Sequence, residues 1–294
     1  MQSSRSHAPL ETFTVSRQTA IEWTGLGTAG FVAALFALTG LYALVTGNTD
    51  LSVTVDADNL GGTAVGVGVV LLLSVGTIVV HELLHGVAMK RYSGEPRYGA
   101  GVAYFVLPYA YATTDTEFTR NQFIVVALTP LVVITAVGVP LMLLLELPVL
   151  AVPLALNVGG AVGDLWMVRL LLRYPADVDV ADDMTGLRVF GDADHVPVDS
   201  PRTVLRSSLV GFGVTLGLFV LAAMLAPMLL DVAGVTSLSL GPAGTPWSLL
   251  QFESGPDGFS SSFGLGGLLG LSAVVGLAYG LLAGGRGRGR GHTA

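Results

Sequence analysis

Residues 81–85 read His-Glu-Leu-Leu-His, inside the stretch TIVVHELLHGVAMKRY. At about 3.6 residues per helical turn, His81 and His85 stand one above the other on one face. That spacing lets two neutral imidazoles ligate one Zn²⁺, and it sets Glu82 beside the ion as a general base for a water that the metal acidifies. With only 5 histidines in 294 residues, chance yields this pattern about twice in a thousand such chains, so accident is the weaker explanation. The setting weakens it further. Each ionisable residue inside a membrane-length apolar segment costs about 2.5–3.5 kcal/mol to insert, and three polar groups in one turn require a shared partner. A metal ion is that partner, or else the three form a buried hydrogen-bonded cluster.

Two histidines leave a third ligand to find. His7 and His292 sit in the termini, and His195, Asp182 and Asp183 become rivals only if the loop 178–200 folds back. The stretch LALNVGGAVGDLWMVRLLLRY offers Asp164 deep in an apolar run. His85 lies five residues before Lys90, and Asp164 five before Arg169. At a rise of ~1.5 Å per residue both are about 7–8 Å inside the same boundary. Asn157, two turns earlier on nearly the same face, is a candidate to orient substrate backbone or to hold a water behind the ligands. Gly159, Gly160 and Gly163 strip bulk from this helix so that it can approach the histidines closely. The competing role for Asp164 is a salt bridge to Arg169 or Arg120.

The elements that must carry these residues follow from composition. Hydrophobic residues make up 52% of the chain and charged ones 12%, against about 25% charged in soluble domains. Disorder, collagen and disulfide-stapled scaffolds are excluded, and the absence of cysteine removes thiol catalysis and cysteine-ligated metals. Apolar runs of bilayer length occur near 24–46, 62–89, 121–145, 148–172, 206–230 and 264–284. No cleavable signal is expected before the first. All 14 bases fall at or beyond alternate ends of these runs, which the positive-inside rule assigns to the cytoplasm, with both termini inside.

The expected fold is therefore an all-α polytopic membrane protein with six transmembrane helices. Residues 1–23 form a cytoplasmic segment, 24–284 a single membrane domain with its metal core at about 62–190, and 285–294 a basic tail. That tail reads as a topology anchor, not a nucleic-acid site. Short β-hairpins are expected in the inner loops, at 97–113 and 178–190. The outer stretch 236–262, rich in Gly, Pro and Ser, reads as a flexible or loosely packed loop.

These residues resemble those of two related groups. HExxH at the inner end of one span, with an aspartate in a later span behind an asparagine, resembles the site-2 protease type of intramembrane metalloprotease. A group of prokaryotic membrane zincin peptidases is more similar still. The likeness lies in HELLHG at 81–86, the Tyr109 and Tyr111 region, TRNQFIVVALTP at 119–130, Gly163-Asp164, and the loop from Asp182 to Gly186, and it covers about residues 75–190. It implies one Zn²⁺ per chain on His81, His85 and Asp164, with Glu82 as catalytic base. Site-2 proteases place a proline between the asparagine and the aspartate and a glycine after the aspartate; here there is no such proline, and Leu165 follows. No PDZ-like domain is inserted.

The expected function is cleavage of a membrane protein or peptide at the cytoplasmic side of the cell membrane. The substrate would pair edge to edge with the 97–113 segment. Arg120 or Asn121 would reach the oxyanion or substrate backbone, and Asn157 and Tyr109 are further candidate contacts. The alternative is a non-catalytic membrane protein with a structural or transported divalent cation.

Overall fold

The structure, a computed structural model, describes residues 9–47, 60–103, 107–183, 186–192, 204–242, 244–255 and 258–288. Helices dominate: α1 (Arg17–Thr46), α2 (Leu60–Arg91), α3 (Arg120–Leu144), α4 (Ala151–Gly160), α5 (Val162–Leu171), α6 (Val204–Val232) and α7 (Leu265–Arg288). Among the described residues, six helical stretches are long and apolar enough to cross a membrane, one at each expected run, with α4 and α5 together making the fourth. The chain divides into two compact units. Helix α1 contributes residues Gln18–Ala29 to the second unit and the remainder to the first.

The first unit holds α2 to α5 and two small sheets. Both expected hairpins form: β2 (Arg97–Ala103) pairs with β3 (Leu107–Thr113), and β5 (Asp179–Asp183) with β6 (Gly186–Phe190). The second hairpin belongs to a larger sheet that periodicity did not reveal, because its flanking strands are too short to show one. β1 (Glu11–Thr14) adds to β6 and β4 (Glu117–Thr119) adds to β5, giving the order β1-β6-β5-β4. Its buried face carries Phe118, Val180, Leu187 and Val189, which pack with Ala88 and Met89 of α2, Phe123, Val126 and Ala127 of α3, and Leu170 and Leu171 of α5. The ends of three helices thus share one apolar cluster with the sheet.

Local chemistry sets where α3 begins. Thr119 caps it, accepting from the Gln122 backbone N–H, while the Gln122 side chain accepts from the Thr119 N–H at 3.0 Å. That reciprocal capping box satisfies two amides that would otherwise lack partners. The Arg120 N–H donates to the Val178 carbonyl at 3.0 Å, and its guanidinium donates to the Tyr174 carbonyl and to Asn121 Oδ1. Arg120 therefore ties the start of α3 to the segment just after α5. Tyr174 also donates its phenol to Glu11 of β1; burial, and then that carboxylate, push the Tyr174 pKa above its ordinary value.

The fourth span is not one continuous helix. It opens with a 3-10 turn at Pro148–Leu150, and a break at Ala161 separates α4 from α5. Glycines at 159, 160 and 163 hold a helix poorly, which accounts for the break falling here. One result is that Asp164 lies in the first turn of α5, where the unpaired amides of a helix start favour an anion.

In the second unit α6 and α7 pack through glycines. A Cβ on Gly276 would fall 2.5 Å from the Ser208 carbonyl oxygen, and one on Gly213 would collide with the backbone of Gly25. The stretch expected to be a loose outer loop is instead largely a three-stranded antiparallel sheet: β7 (Ser237–Leu240), β8 (Leu250–Gly255) and β9 (Gly258–Ser262). The reason is a period-2 pattern hidden under the Gly/Ser composition. Leu238, Leu240, Leu250 and Phe252 share one face, while Ser237, Ser239, Gln251, Glu253, Ser260 and Ser262 share the other.

If Arg120 is a clamp between α3 and the end of α5, Arg120→Met lowers thermal stability in detergent by about 1–2 kcal/mol. Unchanged thermal stability contradicts that role.

Candidate metal centre

The site is assembled from four helices. α2 supplies His81, Glu82 and His85, α5 supplies Asp164, and α3 and α4 hold the histidines from behind. His81, His85 and Asp164 are 9%, 8% and 9% exposed. The His81 Nε2 lies 3.2 Å from one Asp164 carboxylate oxygen and the His85 Nε2 lies 3.5 Å from the other. The imidazoles stand edge to face with centroids 4.9 Å apart. One ligand atom from each of the three residues falls within 4.8 Å of the others, and no other such group of His, Asp and Glu occurs among the described residues.

The opposite nitrogen of each ring identifies the tautomer. His85 Nδ1 is 3.0 Å from the Val126 carbonyl, which can only accept, so Nδ1 carries the proton. His81 Nδ1 is 2.9 Å from Asn157 Oδ1, again an acceptor. In the neutral form with the proton on Nδ1, each Nε2 offers its lone pair on the side of the Asp164 carboxylate, so the three groups could close on one cation. The two imidazole–carboxylate distances bracket the separation of about 3.3–3.4 Å that tetrahedral bonds of about 2.0–2.1 Å to Zn²⁺ set between ligand atoms. Neutral imidazole and carboxylate are also the donor types that zinc takes.

Glu82 is half-buried, and its carboxylate faces the backbone amide of Ala112 on β3. The hairpin is seated on this face of α2 at a second point. The Tyr98 hydroxyl occupies the space where a Cβ of residue 86 would stand, 1.8 Å from that position, so a side chain there would displace Tyr98. Gly86 lies one turn after Glu82 on the same side of the helix. The pairing of Pro108 with Val102 fixes which edge of β3 is free. Proline cannot donate to the ladder, so this pair is one of the non-bonded ones, and by alternation Ala110 and Ala112 turn their amides away from β2.

The candidate residues separate into groups. His81, His85, Asp164 and Asn157 converge, although Asn157 turns its oxygen to His81, not to a substrate position. Arg120 and Asn121 stand where α3 starts at the sheet; they bond to each other, and Arg120 also bonds to the Tyr174 carbonyl. Asp182 sits on β5 opposite Leu187, and Asp183 opposite Gly186. The Tyr109 side chain and His195 lie outside the described residues. The Val126 carbonyl and the Tyr98–Gly86 contact escaped a reading based on ionisable side chains, since neither uses one; the glycine ending HELLHG was the available signal.

Removing the acceptor behind His81 tests the geometry. Asn157→Leu weakens zinc binding about 10–100-fold in competition with a chromogenic chelator, whereas Asn157→Asp, which keeps an acceptor, preserves most of the affinity. Equal affinity in wild type and the Leu variant contradicts this role.

Comparison with known proteins bears on the same stretch. A family model described as "Putative zincin peptidase" matches residues 74–178, from the middle of α2 to the approach to β5. No curated protein and no solved structure matches the chain. The matched segment contains His81, Glu82, His85, Asn157 and Asp164, and suggests a zinc metallopeptidase.

Proposed function

We propose that this protein is a zinc-dependent membrane peptidase that cleaves membrane-associated proteins or peptides. The observation carrying this reading is the convergence of both imidazole Nε2 atoms on the Asp164 carboxylate, beside Glu82. The family match over the same residues supports it. His81, His85 and Asp164 would hold the Zn²⁺, which when bound polarises a carbonyl and acidifies water.

The chain's own groups do the rest. Glu82 takes the proton of the attacking water as the C–O bond forms, then gives it to the amine nitrogen as the C–N bond breaks. The Ala112 amide holds the Glu82 carboxylate in place. An extended substrate pairs with the free edge of β3, using the Ala110 amide and the carbonyls of Pro108 and Ala110. Recognition is then mainly through backbone, so it selects an unwound peptide. A bond within an intact helix hides its carbonyl, which favours substrate helices weakened by Gly or Pro. The clustering of Lys and Arg places the termini and the site end of α2 towards the cytoplasm, and water reaches the centre from that side.

Glu82→Gln separates catalysis from metal holding. Full-length protein with this change retains its zinc by elemental analysis but loses activity by about 10²–10⁴-fold. The readout is the set of new peptide termini that the expressed protein generates in its host membrane fraction. The same termini at wild-type levels from the Gln variant contradict the mechanism. A wild type that holds zinc and generates none supports a structural or transported cation instead.

A further inference from the structure

We propose that Pro130 is a positioning residue of the metal centre: its missing amide frees the Val126 carbonyl to hold His85. This rests on the metal-centre reading above and extends it to a residue that touches no ligand.

In an α-helix the carbonyl of residue 126 bonds to the amide of residue 130. Residue 130 is a proline inside α3, so that amide does not exist, and the ring also pushes the carbonyl four residues back out of line. Val126 is 2% exposed and Pro130 is among the fully buried residues, so bulk water does not substitute. A buried carbonyl without a donor is costly. The neighbouring hydroxyl is already committed, because Thr129 Oγ1 donates to the Val125 carbonyl at 2.6 Å. The donor arrives from another helix, as His85 Nδ1–H at 3.0 Å.

The consequence reaches the other side of the ring. With Nδ1 held by the carbonyl, the His85 ring turns Nε2 towards Asp164, 3.5 Å away. One proline in α3 thereby sets the angle of a ligand on α2 and which of its nitrogens faces the site. Packing alone does not explain this match, since the freed carbonyl is the one that the histidine reaches. Pro140, in the same helix but exposed, provides the comparison, because the carbonyl it frees belongs to Ala136.

The test uses the full chain in detergent, with Zn²⁺ alone as the probe. Pro130→Ala restores an amide that draws the Val126 carbonyl back into the helix. Zinc affinity should fall about 10–100-fold, and nitrogen NMR of the metal-free protein should show the hydrogen bond from His85 Nδ1–H to the Val126 carbonyl lost. Pro140→Ala should leave both readouts at wild-type values. The proposal is overturned if Pro130→Ala keeps wild-type affinity and that hydrogen bond, or if Pro140→Ala loses affinity equally. Neither readout involves peptide cleavage. A protein that binds zinc but hydrolyses nothing therefore sinks the peptidase reading and leaves this one standing, and the Nδ1–H bond still tests it if no zinc binds.

Discussion

Two imidazole lone pairs and a carboxylate point at one another inside a segment apolar enough to lie in a bilayer. Such groups are expensive there, at about 2.5–3.5 kcal/mol each on insertion scales, and lone pairs do not stabilise one another. Much of the first unit bears on this constraint. The glycines around Ala161 break the fourth span and place Asp164 in the first turn of a new helix. Asn157 and the Val126 carbonyl hold the far nitrogens so that the near ones face the carboxylate. Arg120 and the four-stranded sheet tie α3 to the end of α5, and so keep the acceptor for His85 in register with the carboxylate.

The histidine pair was legible because helical periodicity turns a spacing of four into a shared face. Asp164 was legible by depth, since equal distances from the boundary bases are countable along a straight rod. The hairpin at 97–113 showed through its mix of aromatic and small residues, and the one at 178–190 through two short runs on either side of Met-Thr-Gly. What stayed hidden has physical causes. β1 and β4 are four and three residues long, too short for alternation to register, and they gain their place only through pairing with β5 and β6. The sheet at 237–262 was masked by turn-forming residues, although Ser-Leu-Ser-Leu at 237–240 alternates strictly.

The backbone contributors were the least accessible. A carbonyl leaves no mark at its own position, and Val126 looks like any other apolar residue of a span. Its mark is displaced by one helical turn, onto Pro130. Arg120 is the opposite case: a guanidinium near an expected site suggests a role in charge stabilisation, and three of its five N–H donors go instead to Tyr174 and Asn121. Gly86 belongs with these, because a glycine after the second histidine has meaning only once Tyr98 is seen filling the space it leaves.

The account stands or falls on whether two rings from α2 and the carboxylate of α5 grip the same ion. X-ray absorption at the zinc edge of the purified, zinc-loaded full chain reads this directly. The account predicts a low-coordinate shell of nitrogen and oxygen at about 2.0–2.1 Å, with outer-shell scattering from two imidazoles, and loss of the ordered shell in Asp164→Ala. A six-oxygen shell without imidazole scattering, or a spectrum unchanged by that substitution, would contradict it.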